Sequence, residues 1–228
     1  MSARITVSKE DYLKAVLEAE YEGESVIGAT LVHRLSVSAP AVTMALRRLG
    51  RDGLLRVCEG GRVELTSAGR RIARRTVNRH HLIERMLTKI FDMEWYRVHD
   101  EAERLEHAVS PIFEAKIAAV LGRAGKCPHG NLTEPETPVS RRRRGLVPLS
   151  EAVPSRFYTI SAVAERDRQL LEYLEHHGLR PGATVRVLGR GTDQRVKLNV
   201  PPANISIPAA AAEKVWVSRR VVGKVNRS

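Results

Sequence analysis

The chain has 228 residues, 43% of them hydrophobic and 28% charged, with two cysteines and a formal net charge of +12. Such a chain folds around one large core or two small ones. Two cysteines exclude a disulfide framework, and apolar runs such as Ile207–Ala212 fall well short of the roughly 18 residues that span a bilayer. Residues 1–10 read as the approach to a helix rather than a leader, so a cytoplasmic protein without a membrane partner is expected. The charge is uneven. Residues 34–79 carry eleven arginines against three carboxylates, a net +8, whereas residues 81–123 carry a net −2 and three histidines. An anionic partner at the first stretch and a cation at the second would suit that distribution.

In residues 9–22, Tyr12, Leu13, Val16 and Leu17 form one stripe of an amphipathic helix. Residues 27–35 are a second, shorter helical run. After Ser36-Val37-Ser38, Ser38 can cap a third helix with Pro40 in its first turn. Val42, Ala45, Leu46 and Leu49 then face inward. Ser38, Pro40 and Thr43 fall near the base edges of a major groove, with Arg47 and Arg48 near phosphates. Residues 54–58 and 62–65 alternate around Gly60-Gly61 as a hairpin, a wing whose Arg62 joins the DNA-binding set. Cys58 is expected as a small buried hydrophobe of that wing. A three-helix packing unit with solvated arginines is the plainer alternative; helix spacing, hairpin and local charge together favour a winged helix-turn-helix.

Thr66 or Ser67 can cap a long helix to about residue 90, whose Leu82, Ile83, Met86, Leu87 and Ile90 suit packing against other helices, including across a two-fold axis. A fifth helix, residues 98–109, carries His99, Glu103, Glu106 and His107 at i, i+4, i+7 and i+8, and thus on one narrow face. Ser110 and Pro111 start a sixth. An isolated face of this kind is commonly a solvated surface with an i,i+4 Glu–His pair. Here His80 and Glu84 in the preceding helix, Asp11 in the first and a Cys127-Pro128-His129-Gly130 loop supply further donors, which points to a metal-sensing core. An aspartate, two glutamates and a histidine without sulfur suit a hard or borderline ion, Mn²⁺ or alternatively Fe²⁺, with Zn²⁺ or Cd²⁺ able to substitute in vitro.

Residues 124–152, rich in Pro and Gly and holding Arg141–Arg144, read as a linker. Beyond it, short alternating strands (183–188, 196–200, 204–207, 214–217) and one helix (167–177) make a small β domain over 153–222. His176 and His177 at that helix's C-terminus are explained by its dipole.

Val98-His99-Asp100-Glu101-Ala102-Glu103-Arg104-Leu105-Glu106-His107, together with Arg79-His80-His81-Leu82-Ile83-Glu84-Arg85 and Glu10-Asp11-Tyr12-Leu13, resembles the diphtheria toxin repressor family of metal-dependent transcriptional regulators, and the match covers nearly the whole chain. The resemblance implies a primary metal site at Asp11, Glu103, Glu106 and His107. Met and Cys occupy the first two positions in the iron-responsive branch, whereas Asp and Glu match the manganese-responsive one. His80 joins the primary site in members with a paired-ion site, but the acid expected one turn after Asp11 is here Lys14, a departure from that pattern. A second site is implied at Glu84, Cys127 and His129, with His80 and His99 as helpers and a carboxylate from the C-terminal domain, Glu165 or Asp167, completing it.

The expected fold is mainly α with α+β. It comprises a winged helix-turn-helix (1–72), a helical dimerisation and metal-binding domain (73–123), a linker that can hold second-site ligands (124–152) and an SH3-like β-barrel (153–222). The expected function is a Mn²⁺-dependent, homodimeric repressor of metal-uptake genes that binds double-stranded promoter DNA, not an enzyme and without a small-molecule substrate. An iron-dependent regulator is the alternative within the family. A metal-dependent hydrolase is the alternative outside it, though no nucleophile motif or phosphate loop accompanies the carboxylates. A nucleic-acid-coating protein would bind without regard to metal or sequence.

Overall fold

The computed structural model describes residues 7–122, 125–132 and 135–220, which form two compact units. The first comprises residues 7–83, 102–122 and 135–138, and the second residues 84–101, 125–132 and 139–220. The expected start of the chain, residues 1–6, residue 123 of the helical domain, residues 124, 133 and 134 of the linker and residues 221–222 of the β domain lie outside the described residues.

The first unit opens with α1 (Val7–Glu22), α2 (Gly28–Leu35) and α3 (Ala39–Arg51). Tyr12, Leu13, Val16 and Leu17 of α1 are buried against Leu31 of α2 and Val42, Ala45 and Leu49 of α3, so the apolar stripe read from the sequence is the core. Ser36 turns the chain out of α2 in the left-handed conformation (φ 52°). Ser38 Oγ accepts from the Ala41 amide at 3.4 Å, with Pro40 in the first turn, which fixes the start of α3. β1 (Leu55–Val57) and β2 (Val63–Leu65) pair antiparallel, Leu55 opposite Leu65, across a short turn at Glu59–Gly61. Cys58 is only partly buried: it lies at the wing's turn, beyond the last paired residue, and not in the core as expected.

Thr66 caps α4 (Ser67–Phe91), accepting from the Gly69 amide at 3.1 Å. α5 (Val98–Leu105) is shorter than expected, because the chain leaves the helix at Leu105 and passes Glu106–His107 in a turn. Ser110 caps α6 (Pro111–Leu121) through the Phe113 amide at 3.2 Å. Leu82, Ile83, Met86 and Leu87 of α4 are buried by the chain itself and so are not left for a partner. Ile90 at the end of α4 stays exposed, as do Ile112, Phe113 and Val120 of α6.

The second unit is built on a six-stranded antiparallel sheet in the order β3-β8-β4-β5-β6-β7. Its strands are β3 (Leu146–Pro148), β4 (Phe157–Val163), β5 (Thr184–Arg190), β6 (Val196–Val200), β7 (Ala203–Ile207) and β8 (Val215–Arg219), joined by α8 (Arg168–His176) and α9 (Ala209–Glu213). Tyr158, Ile160 and Val163 meet Leu170, Leu171 and Leu174 of α8 in its core. Part of the stretch expected as a linker is therefore folded: α7 (Pro138–Arg143) leads into β3, which pairs with β8, Val147 opposite Val217. Three residues of alternation are too few to stand out beside Pro and Arg, and the pairing is decided by a strand some seventy positions later. Arg141 and Arg142 are anchored too, Arg141 over the Trp216 ring at 5.2 Å and Arg142 bidentate on Glu151 at 2.6 and 2.7 Å. Among the described residues no helix is long and apolar enough to cross a membrane.

Gly69 marks the tightest approach in the first unit. A Cβ there would lie 1.9 Å from the Leu54 carbonyl oxygen. An exposed helical Gly→Ala change typically gains about 1 kcal/mol, whereas overpacking against rigid backbone costs on the order of 1–3 kcal/mol or more. Gly69→Ala is therefore expected to lower the urea midpoint of the metal-free protein, and a raised midpoint would refute this packing.

Candidate metal centres and the DNA-facing helix

Among the described residues, each unit holds a cluster of donors of its own. The four residues expected on one face of the fifth helix are divided between them. At about 1.5 Å per residue, positions eight apart are some 12 Å apart along a helix, too far for one ion. Glu106 and His107 belong to the first cluster, and His99 to the second.

In the first cluster His107 Nε2 lies 2.7 Å from Asp11 Oδ1 and 3.4 Å from Glu106 Oε1. Asp11, Glu106 and His107 can each offer a donor atom with all three within 4.8 Å of one another. Glu10, unnoticed in the sequence because it adjoins Asp11, orients the histidine from the other side, 3.2 Å from Nδ1. Arg79 donates to the Glu106 carbonyl at 2.9 Å and fixes the turn that follows α5. Lys14 is buried here, its Nζ 2.9 and 3.1 Å from the two Glu106 oxygens and 3.1 Å from His80 Nδ1, which is itself 2.7 Å from Glu106 Oε2. Glu103 is half exposed and reaches the cluster only through Lys14, at 3.6 Å.

Burial raises the Asp11 carboxyl above its ordinary value, against the lowering effect of His107. Burial would raise Glu106 as well, but the His80 hydrogen bond and the Lys14 charge prevail and hold it at about 2. The folded value lies below the ordinary one, so the stabilisation from these partners is complete at neutral pH and is lost as pH falls from about 4.5 toward 2. Burial disfavours the Lys14 ammonium, yet Glu18, Glu106 and Glu103 outweigh it and raise its value.

The second cluster gathers on the loop 125–132 and the end of β4. Cys127 N–H donates to the Asn131 carbonyl at 2.8 Å, and Val163 N–H donates to the His129 carbonyl at 2.9 Å. Gly130 has φ +83°, and a Cβ on it would lie 2.1 Å from the Ser161 carbonyl, so only glycine lets this loop rest on β4. His129 Nδ1 thereby faces Glu84 Oε1 at 3.4 Å, Glu165 Oε2 at 3.7 Å and Cys127 Sγ at 3.8 Å. His99 Nδ1 lies 3.3 Å from the same Glu84 oxygen. Cys127 donates to Glu165 at 3.5 Å; Asn131, which no sequence pattern singles out, holds Glu165 at 2.6 Å and takes a bond from Arg141 at 2.8 Å. Asp167, the other carboxylate considered, caps α8 through the Leu170 amide and pairs with Lys214 instead. Burial pushes the Cys127 thiol well above its ordinary value, and Glu84 and Glu165 add to this. Burial lowers His129, but Glu84 and Glu165 raise it further. One ring nitrogen faces two carboxylates and a sulfur while carrying at most one proton, and the buried His129 Nε2 has no hydrogen-bond partner among the described residues. Carboxylate oxygens, an imidazole nitrogen and a sulfur gathered within 3.8 Å of His129 Nδ1 are donor types that hold a cation.

On α3, Pro40, Thr43, Arg47 and Arg48 are exposed, as are Ser38 before it and Arg62 on the wing. The Ser38 and Thr43 hydroxyls are engaged locally, Ser38 as the cap and Thr43 donating to the Ala39 carbonyl at 3.0 Å. Arg62 pairs with Glu64 at 2.8 Å.

Residues 4–60 match the family described as iron dependent repressor, N-terminal DNA binding domain; residues 66–134 match its metal binding and dimerisation domain, and residues 147–219 a FeoA domain. The diphtheria toxin repressor of Corynebacterium glutamicum is 31% identical over 188 residues, covering 78% of this chain and 82% of that protein. The chain belongs to the diphtheria toxin repressor family of metal-dependent transcriptional repressors. The iron-dependent repressor IdeR of Mycobacterium tuberculosis is 38% identical over 122 residues, 54% of this chain and 53% of its own. Among solved structures of the family, a manganese-dependent transcriptional repressor in complex with manganese superposes with a TM-score of 0.80 at 30% identity over 93% of this chain and 100% of that one. The manganese regulator SloR gives 0.76 at 27% identity over 95% and 100%.

The two thiols should differ sharply in reactivity. In chelated buffer near pH 7.5, Cys58 is expected to react rapidly with a thiol reagent and Cys127 only on unfolding, because its environment opposes the thiolate. Two fast-reacting thiols per folded chain would contradict the cluster as described.

Proposed function

We propose that the chain is a Mn²⁺-activated, homodimeric repressor that binds double-stranded promoter DNA of metal-uptake genes. The observation that carries the choice of metal is the oxygen and nitrogen donor set of Asp11, Glu106 and His107, which contains no sulfur and so favours a hard or borderline ion. The likeness to manganese-dependent repressors supports it, while the iron-dependent relatives keep Fe²⁺ as the alternative.

In this reading Asp11, Glu106 and His107 hold the activating ion, and Glu103 joins them by turning away from Lys14. Glu84, Cys127, His129 and Glu165 hold a second ion, with His99 beside them. His80 is engaged by Lys14 and Glu106 and serves as a neighbour of the first site. The ion supplies positive charge that lets several buried oxygen and nitrogen donors converge without mutual repulsion. Asp11 lies on α1, whose other side is the core of the DNA-reading fold, so fixing Asp11 to Glu106 and His107 fixes the carrier of α3. Metal affinity and DNA affinity are then reciprocally coupled. Pro40 and Thr43 approach the base edges with their apolar atoms, while Arg47, Arg48 and Arg62 contact phosphates. The exposed Ile112, Phe113 and Val120 of α6 suit a second copy of the chain.

The test is binding to the protein's own upstream region and to metal-transporter promoters in chelated buffer, with Mn²⁺, Fe²⁺ or Zn²⁺ titrated in at fixed salt. Specific binding is expected only with metal, and at lower free Mn²⁺ than Fe²⁺; binding indifferent to metal would refute the proposal. Asp11→Ala should abolish the metal response. Arg47→Ala should weaken binding to all sequences alike and reduce the slope of log K against log salt by about 1; loss confined to one base position would instead make Arg47 a base reader.

A further inference from the structure

We propose that the Lys14 ammonium is a built-in cation of the first metal cluster, standing where a second ion would otherwise sit, so that this cluster takes one ion and not a pair. This rests on the reading of Asp11, Glu106 and His107 as ion ligands.

Lys14 follows Asp11 by one turn of α1 and is 3% exposed. Its Nζ meets both oxygens of Glu106 and the Nδ1 of His80, and Glu103 Oε1 lies 3.6 Å away. These partners are the types that bind a divalent ion: a carboxylate presented by both oxygens, an imidazole nitrogen and a second carboxylate at the rim. The Glu106 carboxylate accepts from the His80 ring at Nδ1, 2.7 Å away, so His80 and Lys14 meet the same carboxylate from two sides.

A surface ion pair would not have this form. Both Lys14 and Glu106 are buried, and either one alone would be an uncompensated charge. Lys14 carries one positive charge on a tether that cannot dissociate, so this half of the cluster is assembled with no metal present. Glu106 is left able to reach His107 and Asp11 with its other oxygen, Oε1, at 3.4 Å from His107 Nε2. The cluster therefore comprises a standing half, made by Lys14, His80 and Glu106, and a half completed by Asp11, Glu106 and His107. An acidic residue in place of Lys14 would remove the tethered charge and add a ligand, which converts the standing half into a second ion site.

The experiment compares the full chain with Lys14→Glu, Lys14→Met and Asp11→Ala, each loaded with Mn²⁺, by counting bound ions in native mass spectrometry and recording electron paramagnetic resonance. The parent is expected to show magnetically isolated Mn²⁺ only. Lys14→Glu should bind one more ion per chain and develop the signature of a spin-coupled pair. Lys14→Met adds no charge and guards against misfolding: its metal-free melting temperature should fall, while the Mn²⁺-induced rise should be at least twofold that of the parent. A coupled pair in the parent, an unchanged ion count in folded Lys14→Glu, or equal losses in the metal-free and loaded states of Lys14→Met would each overturn the proposal. Asp11→Ala separates the two levels of argument, since an undiminished ion count in that variant would sink the ligand reading itself.

Discussion

Burying carboxylates is the constraint on which this architecture turns. Glu106 is 1% exposed and Glu84 is fully buried. An ionised carboxylate taken out of water costs several kcal/mol even after relaxation, and the cost is recovered only by close, well-aligned cationic or hydrogen-bonding partners. For Glu106 these are Lys14 and His80, contributed by α1 and α4. For Glu84 they include His99 and His129. Segments far apart in sequence are thus held together by charge requirements as well as by apolar packing. Loss of one partner from such a pair typically costs about 3–5 kcal/mol, because the remaining charge stays buried.

α1 joins that constraint to DNA reading. Leu13, Val16 and Leu17 enter the same core as Val42, Ala45 and Leu49 of α3, while Asp11 and Lys14 belong to the charged cluster. A close-packed core transmits a displacement of α1 to α3 because its side chains cannot yield independently. Positions i and i+3 or i+4 lie near one another on a helix, which is why Asp11 and Lys14 can share one cluster while the intervening Tyr12 and Leu13 remain in the core.

Where periodicity carried the signal, the sequence was informative. The stripe of α1, the Ser38 cap with Pro40 following it and the hairpin around Gly60-Gly61 all stand as read, because each depends on residues within a few positions of one another. The separation of His99 from Glu106 and His107 was not legible. Helical spacing gives angle but not which neighbour each turn meets, and the end of α5 at Leu105 carries no proline or glycine to announce it. β3 and β4 were missed for a related reason, since strand pairing is settled by partners distant in sequence. Asn131 and Glu10 lack any local pattern; their roles exist only once the loop and the helices have met.

The two clusters differ in what a cation must displace. Glu106 is already ionised throughout the physiological range, and its position in the first cluster is set by Lys14. Asp11, though raised by burial, needs only one opposite charge nearby to favour its ionised form. In the second cluster a thiolate ligand would require removing the Cys127 proton against burial and two adjacent carboxylates. Metal binding that releases a proton gains affinity as pH rises and loses it as pH falls. Sulfur makes the second cluster the softer of the two, but its buried, acid-flanked setting makes that softness conditional on pH. In the proposed reading the donors of the first cluster, Asp11, Glu106 and His107, must also be free of protons to hold an ion, but no buried thiol has to be ionised there, and that is the difference between the two clusters.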